Sequence, residues 1–411
     1  MSLFNRALVE LEFTDHNGQT DSMPQEDAPL TKPTLGELSR FFLQLGTLAF
    51  GGPAAHIAMM EDQLVRRRRW LSRADFLDLL GAANLLPGPS STELAIYIGY
   101  RLNGVAGLLA AGVCFILPAA LIVGVLAWAY VRFGSLPGTA AVLYGVKPVV
   151  IALVVQALWR LGRTAVKSRY LALIGFICIA LARIPLNPMI VLCIGGLLSA
   201  IGSQVTNPDH SAGLPAIATT TFRAATISAS QIALGSIFGA FLKIGCMVFG
   251  SGYVLLAFLQ NDLVQQRHWL TPNQLLDAVA VGQVTPGPVF TTATFIGYLL
   301  AGCRGAAVAT VAIFLPAFVL VAATGKFIPR LRKSWYAGAF LDGLNVASLA
   351  LMLVVLIDLT TTVSIDPVTR AIEPAAIAIA VVSSALLLTT KLNSFWLIVA
   401  GAILGLLRMR G

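Results

Sequence analysis

The chain has 411 residues, 57% of them hydrophobic and only 11% charged, with a formal net charge of +9. Its mean hydropathy is +0.82. Soluble domains are about 45–50% apolar and about 25% charged, so this composition excludes both a soluble globular protein and a disordered chain.

An apolar excess spread over most of the length belongs in a bilayer, where spanning structures are helical bundles or closed barrels. Barrel strands run about ten residues and alternate apolar with polar; the apolar runs here are longer and continuous. The expected fold is therefore an all-α polytopic membrane protein with the lipid bilayer as its partner. The basic charge is first a topology signal, because cytoplasmic loops collect Lys and Arg, and nucleic acid is not expected. It is uneven: residues 1–34 hold two basic and six acidic side chains, a charge of −4, which leaves +13 on the body.

Residues 1–34 are polar, contain Pro24, Pro29 and Pro33, and read as a flexible tail without the apolar core of a signal peptide. A helical segment then runs from Leu35 to about Met60, interrupted by Gly51-Gly52-Pro53. The basic stretch Arg66 to Arg69, with Trp70 and Arg73, is expected to anchor the chain at the cytoplasmic face. Two short helices are predicted over residues 75–86 and 90–102, joined by Pro87-Gly88-Pro89. At 1.5 Å per residue neither comfortably crosses a core about 30 Å thick, so they read as a re-entrant hairpin. Residues 104–130 form a full span without a charge. Residues 139–159 form another, with Lys147 inside it. Residues 170–201 are broken near Pro185 and Pro188 into two short halves.

The pattern then recurs. Phe42-Leu43-Gln44-Leu45-Gly46 returns as Phe241-Leu242-Lys243-Ile244-Gly245, Arg68-Arg69-Trp70-Leu71 as Arg267-His268-Trp269-Leu270, and Pro87-Gly88-Pro89 as Pro286-Gly287-Pro288, all at an offset of 199. Ile98-Gly99-Tyr100 and Leu117-Pro118-Ala119 return at an offset of 198. One single-residue indel over this stretch, with rare Pro-Gly-Pro and Arg-x-Trp-Leu retained, marks a duplication. The expected organisation is a tail (1–34), a first repeat (35–203), a linker (204–229) and a second repeat (230–408). The basic loop Arg160, Arg163, Lys167, Arg169 follows the second full span of the first repeat, whereas Lys326, Arg330, Arg332, Lys333 follow the first full span of the second. A basic loop displaced by one span predicts repeats of inverted topology, each with an odd number of crossings. Inverted repeats with broken helices are a signature of secondary transporters.

The breaks are the expected site. Ser90, Ser91, Thr92 and Glu93 follow Pro89, with Ser90 and Glu93 at capping-box spacing; Thr291 and Thr292 follow Pro288. Helices that begin mid-membrane turn free N–H groups and a positive dipole end toward a cavity, which suits an anion. Gly51, Gly52 and Gly88, with Gly250, Ser251, Gly252 and Gly287, would admit a ligand close to the backbone; each break singly is also an ordinary packing kink. Lys147 in a span is unfavourable by roughly 2.5–3.5 kcal/mol. Its repeat mate is Asn345, while Lys243 matches Gln44, so each half offers one lysine, either to a dianion or to a structural partner such as Asp342 or Glu93. His56, Glu61 and Glu93 are the candidates for proton coupling, and His56, matched by Leu255, is equally a hydrogen-bonding residue. Asp78 and Asp277 read as partners for Arg68 or Arg267.

The five cysteines are dispersed with no CxxC, which leaves zinc and redox motifs unsupported. No Walker A, HExxH or GxSxG sequence is present, so the expectation is not an enzyme, with no cofactor and no metal.

Phe50-Gly51-Gly52-Pro53-Ala54-Ala55-His56-Ile57-Ala58-Met59-Met60, Leu86-Pro87-Gly88-Pro89 with Thr92, Ile98-Gly99-Tyr100, Gly145-Val146-Lys147-Pro148 and the second-half Phe-x-Lys-Ile-Gly together resemble the chromate ion transporter family in its long two-domain form, over about residues 35 to 408. The break at Gly250-Ser251-Gly252 departs conservatively from the usual pattern. The resemblance implies efflux of chromate from the cytoplasm across the bacterial inner membrane, with chromate resistance as the result and sulfate as the structural analogue. A sulfate or other oxyanion permease is the alternative; inward movement of a dianion would need co-transported cations, and intramembrane acids are few. A membrane enzyme such as a chromate reductase would need a flavin, haem or metal site. A homodimer is left open.

Overall fold

The computed structural model describes residues 31–134, 136–184, 186–206, 233–249, 254–324, 335–364, 373–390, 392 and 394–410. Gly250, Ser251, Gly252, residues 1–30 of the tail and the linker beyond residue 206 lie outside the described residues. The last tail residues are held: Thr31 donates from N–H to Arg69 O (3.1 Å) and from Oγ1 to Arg68 O (2.9 Å).

The first repeat contains α1 (Leu35–Leu48), α2 (Gly52–Glu61) running into a wide π turn (Asp62–Arg67), α3 (Arg73–Ala83), α4 (Ser90–Phe133), α5 (Pro137–Ala165), α6 (Arg169–Ala182) and α7 (Pro188–Thr206). The second contains α8 (Leu234–Met247), α9 (Leu255–Leu259) with its π turn (Gln260–Gln266), α10 (Pro272–Val284), α11 (Thr292–Thr324), α12 (Trp335–Ser364), α13 (Pro374–Thr389) and α14 (Ser394–Arg410). Local chemistry sets the starts. Thr34 and Glu37 close a capping box on α1, and Thr271 and Gln274 close another on α10, the repeat mate of α3. Ser72 accepts from Asp75 N–H and begins α3 at Arg73, two residues earlier than the sequence pattern indicates. The helix ends at Ala83 because Pro87 disfavours helical geometry ahead of it.

The repeat extends to backbone detail. Both π turns end on a non-glycine residue in the left-handed region, Arg69 (φ 51°) and His268 (φ 52°). Helix α4 is interrupted at Asn103 and Gly104, and α11 at Ala301 and Gly302, with nearly the same dihedral angles. Each interruption is a reversal. A Cβ on Gly99 would strike Gly107 O, and one on Gly297 would strike Gly305 O; residues eight apart in one straight helix would be about 12 Å apart. So residues 90–102 form the short helix expected, folded at Asn103-Gly104 against the spanning arm that follows, a reversal the sequence pattern does not predict; α11 repeats the device, with Thr294 and Thr310 bonded across its two arms at 2.7 Å.

The repeats interlace. Helix α5 packs on α13 and α14 of the second repeat, and α12 packs on α6 and α7 of the first. The close crossings match: Gly145 lies against Gly401, and its mate Gly343 lies against Gly195. Among the described residues, four helices are long and apolar enough to span a bilayer, α4, α5, α11 and α12. On the long arm of α4, Val105, Leu109, Val113, Leu117, Leu121 and Val125 leave an exposed apolar stripe at helical spacing. The chain is an all-α polytopic membrane protein.

Candidate functional site

The two Pro-Gly-Pro hairpins meet the breaks of the opposite repeat. Gly88 N–H donates to Val248 O (2.7 Å), and Gly287 N–H donates to Ala49 O (3.0 Å). Pro87 and Phe249 form an isolated antiparallel bridge beside them. Gly287 has φ +87°, and a Cβ there would come within 2.7 Å of Ala119 Cβ and 3.0 Å of Gly46 O. Ala119 is halfway along the spanning arm of α4, which puts this crossing at mid-membrane depth. Gly51 (φ 109°) and Gly52 (φ 75°) carry the chain through the first break.

Helix α4 begins at the crossing. Its N-cap is Pro89, with no side-chain cap, and Thr92 and Glu93 N–H groups bond to Pro89 O. This corrects the Ser90–Glu93 capping box: the extended Pro89 that follows the left-handed Gly88 (φ 143°) is the cap, so Ser90 is already inside the helix. Ser91 Oγ lies 3.4 Å from His56 Nδ1, and His56 Nε2 lies 3.1 Å from Ala49 O. A carbonyl only accepts, so Nε2 carries the proton and Nδ1 accepts from the Ser91 hydroxyl. His56 therefore ties the first break to the start of α4, with Phe115 edge-on at 5.3 Å. Thr92 Oγ1 and both carboxylate oxygens of Glu93 are buried without a hydrogen-bond partner. In the second repeat, Thr291 and Thr292 hydroxyls turn back onto Pro288 O and Val289 O, both at 2.8 Å.

The lysines are elsewhere and each has its own acid. Lys147 Nζ is 3.3 Å from Asp277 Oδ1, an ion pair rather than an aligned hydrogen bond, and donates to Asn273 Oδ1 at 3.2 Å. Tyr130 donates to the other Asp277 oxygen at 2.9 Å. Asp277 thus pairs with Lys147, not with Arg267, because the interlacing of the repeats brings α5 onto α10. Arg267 and Lys243 share Asp262, at 2.8 and 2.6 Å; in the first repeat Gln44 and Gln63 replace Lys243 and Asp262 without net charge. Asp342, the partner weighed for Lys147, pairs with Lys167 at 2.7 Å. Asn345 is half-buried on α12 and does not line the Lys147 cavity. Glu61 lies 4.0 Å from Arg73, away from the crossing.

Lys147 lines a cavity of about 650 Å³ together with Tyr130, Tyr144, Asn273, Asp277, Glu373 and Arg408. Tyr144 donates to Glu373 (2.9 Å), which also accepts from Arg408 (3.0 Å). No local motif marks this trio in the sequence. A signal existed: at the spacing that carries Gly195 onto Gly401, Glu373 is the mate of Lys167, and Tyr144 is the mate of Asp342, so the two pairs are equivalent. Among the described residues no group of His, Cys, Asp or Glu is arranged to hold a metal, and all five cysteines are free.

Spanning helices, paired breaks and polar groups at mid-membrane depth define a polytopic membrane protein of the transporter class. The chromate transporter family model matches residues 36–200 and 235–406. The chain belongs to the chromate transporter family. It is 37% identical to a chromate transport protein of Cupriavidus metallidurans over 90% of this chain and 92% of that one. It is 36% identical to a probable chromate transport protein of Synechococcus elongatus over 77% of this chain and 82% of that one, and 34% identical to a chromate transport protein of Pseudomonas aeruginosa over 83% of each. No solved structure matches it.

Proposed function

We propose that the protein is a secondary transporter that exports chromate from the cytoplasm across the bacterial inner membrane and so confers chromate resistance. The observation that carries this reading is the crossing of the two breaks, where Gly88 and Gly287 bond to Val248 and Ala49 halfway along a spanning arm. Helix α4 starts there, and the positive end of its dipole favours an anion. With the Thr92 hydroxyl, which has no other partner, that helix start replaces part of the hydration of a tetrahedral oxyanion. Gly88 and Gly287 let the backbone approach it. Lys147, facing the cavity beside Arg408, draws the anion in, while Lys243 positions the second π turn through Asp262. The charge pattern of the loops supports repeats of inverted topology, which would expose one crossing alternately to each side.

The membrane potential suffices as the driving force. A dianion leaving a negative interior gains about 2.3 kcal/mol per charge per 100 mV, or about 4.6 kcal/mol. The test is chromate flux in everted membrane vesicles, with and without a potential. Accumulation that follows the potential and is blocked by excess sulfate is the expected result. No chromate movement under any gradient would refute the reading.

A further inference from the structure

Glu93 is the most deeply enclosed acid of the described residues, fully buried one turn into α4, and no hydrogen bond reaches either of its oxygens. A Cβ on Gly88 would strike Glu93 Oε1, so the carboxyl lies against the hairpin itself. Its helical neighbour Thr92 also has a buried hydroxyl without a partner. The ionised groups of the surrounding elements are engaged elsewhere. Asp75 on α3 pairs with Arg101 at 3.5 Å, Asp277 on α10 with Lys147, Glu61 on α2 with Arg73, and Lys243 on α8 with Asp262. Glu37 on α1 bonds to Thr34, while Arg40 on α1 and Asp78 on α3 hold interactions of their own. His56 on α2 is spent on Ala49 and Ser91, and Tyr97, one turn along α4, bonds to Thr324 at 2.6 Å.

An isolated carboxylate is not sustained in an apolar interior; such a group keeps its proton instead. A neutral carboxyl is a hydrogen-bond donor, whereas an ionised one only accepts and would repel an anion. We infer that Glu93 is a protonated hydrogen-bond donor to the bound oxyanion, so that anion binding requires this one proton. The inference rests on the proposed anion site and adds a proton requirement to it. Neither His56 nor Glu61 supplies that proton in this arrangement.

The test uses the full chain in lipid nanodiscs and two measurements. Infrared spectroscopy reads the C=O stretch of a protonated carboxyl: a band present in the wild type at neutral pH and missing from Glu93→Gln is expected, and its absence from the wild type overturns the inference whatever the protein transports. Chromate titrations then run over the alkaline range, above the hydrogen chromate–chromate transition, where the anion keeps one charge state. Wild-type affinity should fall about tenfold per pH unit once the carboxyl ionises. Glu93→Gln, a donor that does not ionise, should keep affinity within about threefold and lose the pH slope. A slope unchanged in Glu93→Gln, or binding lost in that variant while it still elutes as a folded protein, overturns the donor role. Wild-type protein that shows the band but neither binds nor transports chromate overturns the substrate instead, and with it the donor role toward chromate.

Discussion

The Lys147–Asp277 pair decides whether a lysine inside a span serves the fold, the ligand or both. The side chains are 19% and 4% exposed, so Asp277 is far the more enclosed partner. In Lys147→Met, Asp277 keeps only the Tyr130 hydroxyl. Removing one member of a fully buried pair destabilises by about 3–5 kcal/mol. Because Lys147 borders the 650 Å³ cavity, from which water can reach the orphaned acid, about 2–3 kcal/mol is expected here. Asp277→Asn should destabilise less, since Asn273 and the cavity still serve the ammonium. The double variant removes both charges and should recover about 2 kcal/mol of the summed losses. Equilibrium unfolding in mixed micelles measures the cycle. Losses that simply add would refute the pairing as a source of stability. Transport separates the second role: a double variant that is stable but slow means that Lys147 also meets the anion, and one that is stable and fully active returns Lys147 to the scaffold alone.

His56→Leu, which copies Leu255 of the second repeat, should destabilise by about 1–2 kcal/mol through the Ser91 hydroxyl it strands, yet leave the pH profile of transport unchanged in vesicle assays. Gly287→Ala should lose most transport at normal membrane abundance, because the left-handed backbone and the approach to Ala119 and Gly46 leave no room for a methyl; full activity would show that the hairpins do not need their present fit. The Thr34 backbone and side-chain hydrogen bonds hold the Glu37 carboxyl below its ordinary range. That box is therefore complete above the ordinary carboxylate range and is lost as pH falls through the lowered value. Glu37→Gln, which gives α1 the Thr-x-x-Gln box that α10 uses, should abolish this acid-side loss of protection in hydrogen exchange at the start of α1.

Much of the fold was legible because its signals are local. The Pro-Gly-Pro turns and the Gly51-Gly52-Pro53 break are backbone events, and Gly and Pro announce them; the reversal at Asn103-Gly104 is not announced by the sequence pattern. The repeat offset is equally plain: at 199 it carries Arg69 onto His268 and Gly88 onto Gly287, and at 198 Gly104 onto Gly302, all left-handed. Charge partners were not legible. Asp277 was matched to Arg267, a neighbour in sequence, whereas it pairs with Lys147 from the other repeat. Nothing in composition says that α5 leaves its own repeat to pack on α13 and α14, and that interlacing sets which acid meets which lysine. The N-cap of α4 failed for a related reason: Ser-x-x-Glu is a sound local signal, but Gly88 and Pro89 had already fixed where the helix starts.

The symmetry of the backbone makes the asymmetry of the side chains informative. A duplicated chain that needed only a scaffold would have no reason to differ at its crossing, and in backbone the described repeats hardly do. The polar groups nevertheless divide unequally. The first repeat holds His56, Ser91, Thr92 and Glu93 around one hairpin, while the second places Leu255, Thr291 and Thr292 at the corresponding places, with both hydroxyls satisfied by their own helix. The cavity cation Lys147 faces Asn345 in register, and Tyr144 with Glu373 faces Asp342 with Lys167. Unpartnered buried polar atoms are unfavourable by about 1–3 kcal/mol each and persist where something other than stability holds them. At the crossing they persist on the first repeat, at Thr92 and Glu93. The second repeat then acts as the symmetric wall against which the first presents its donors, and the ligand contacts should follow the first repeat's residues.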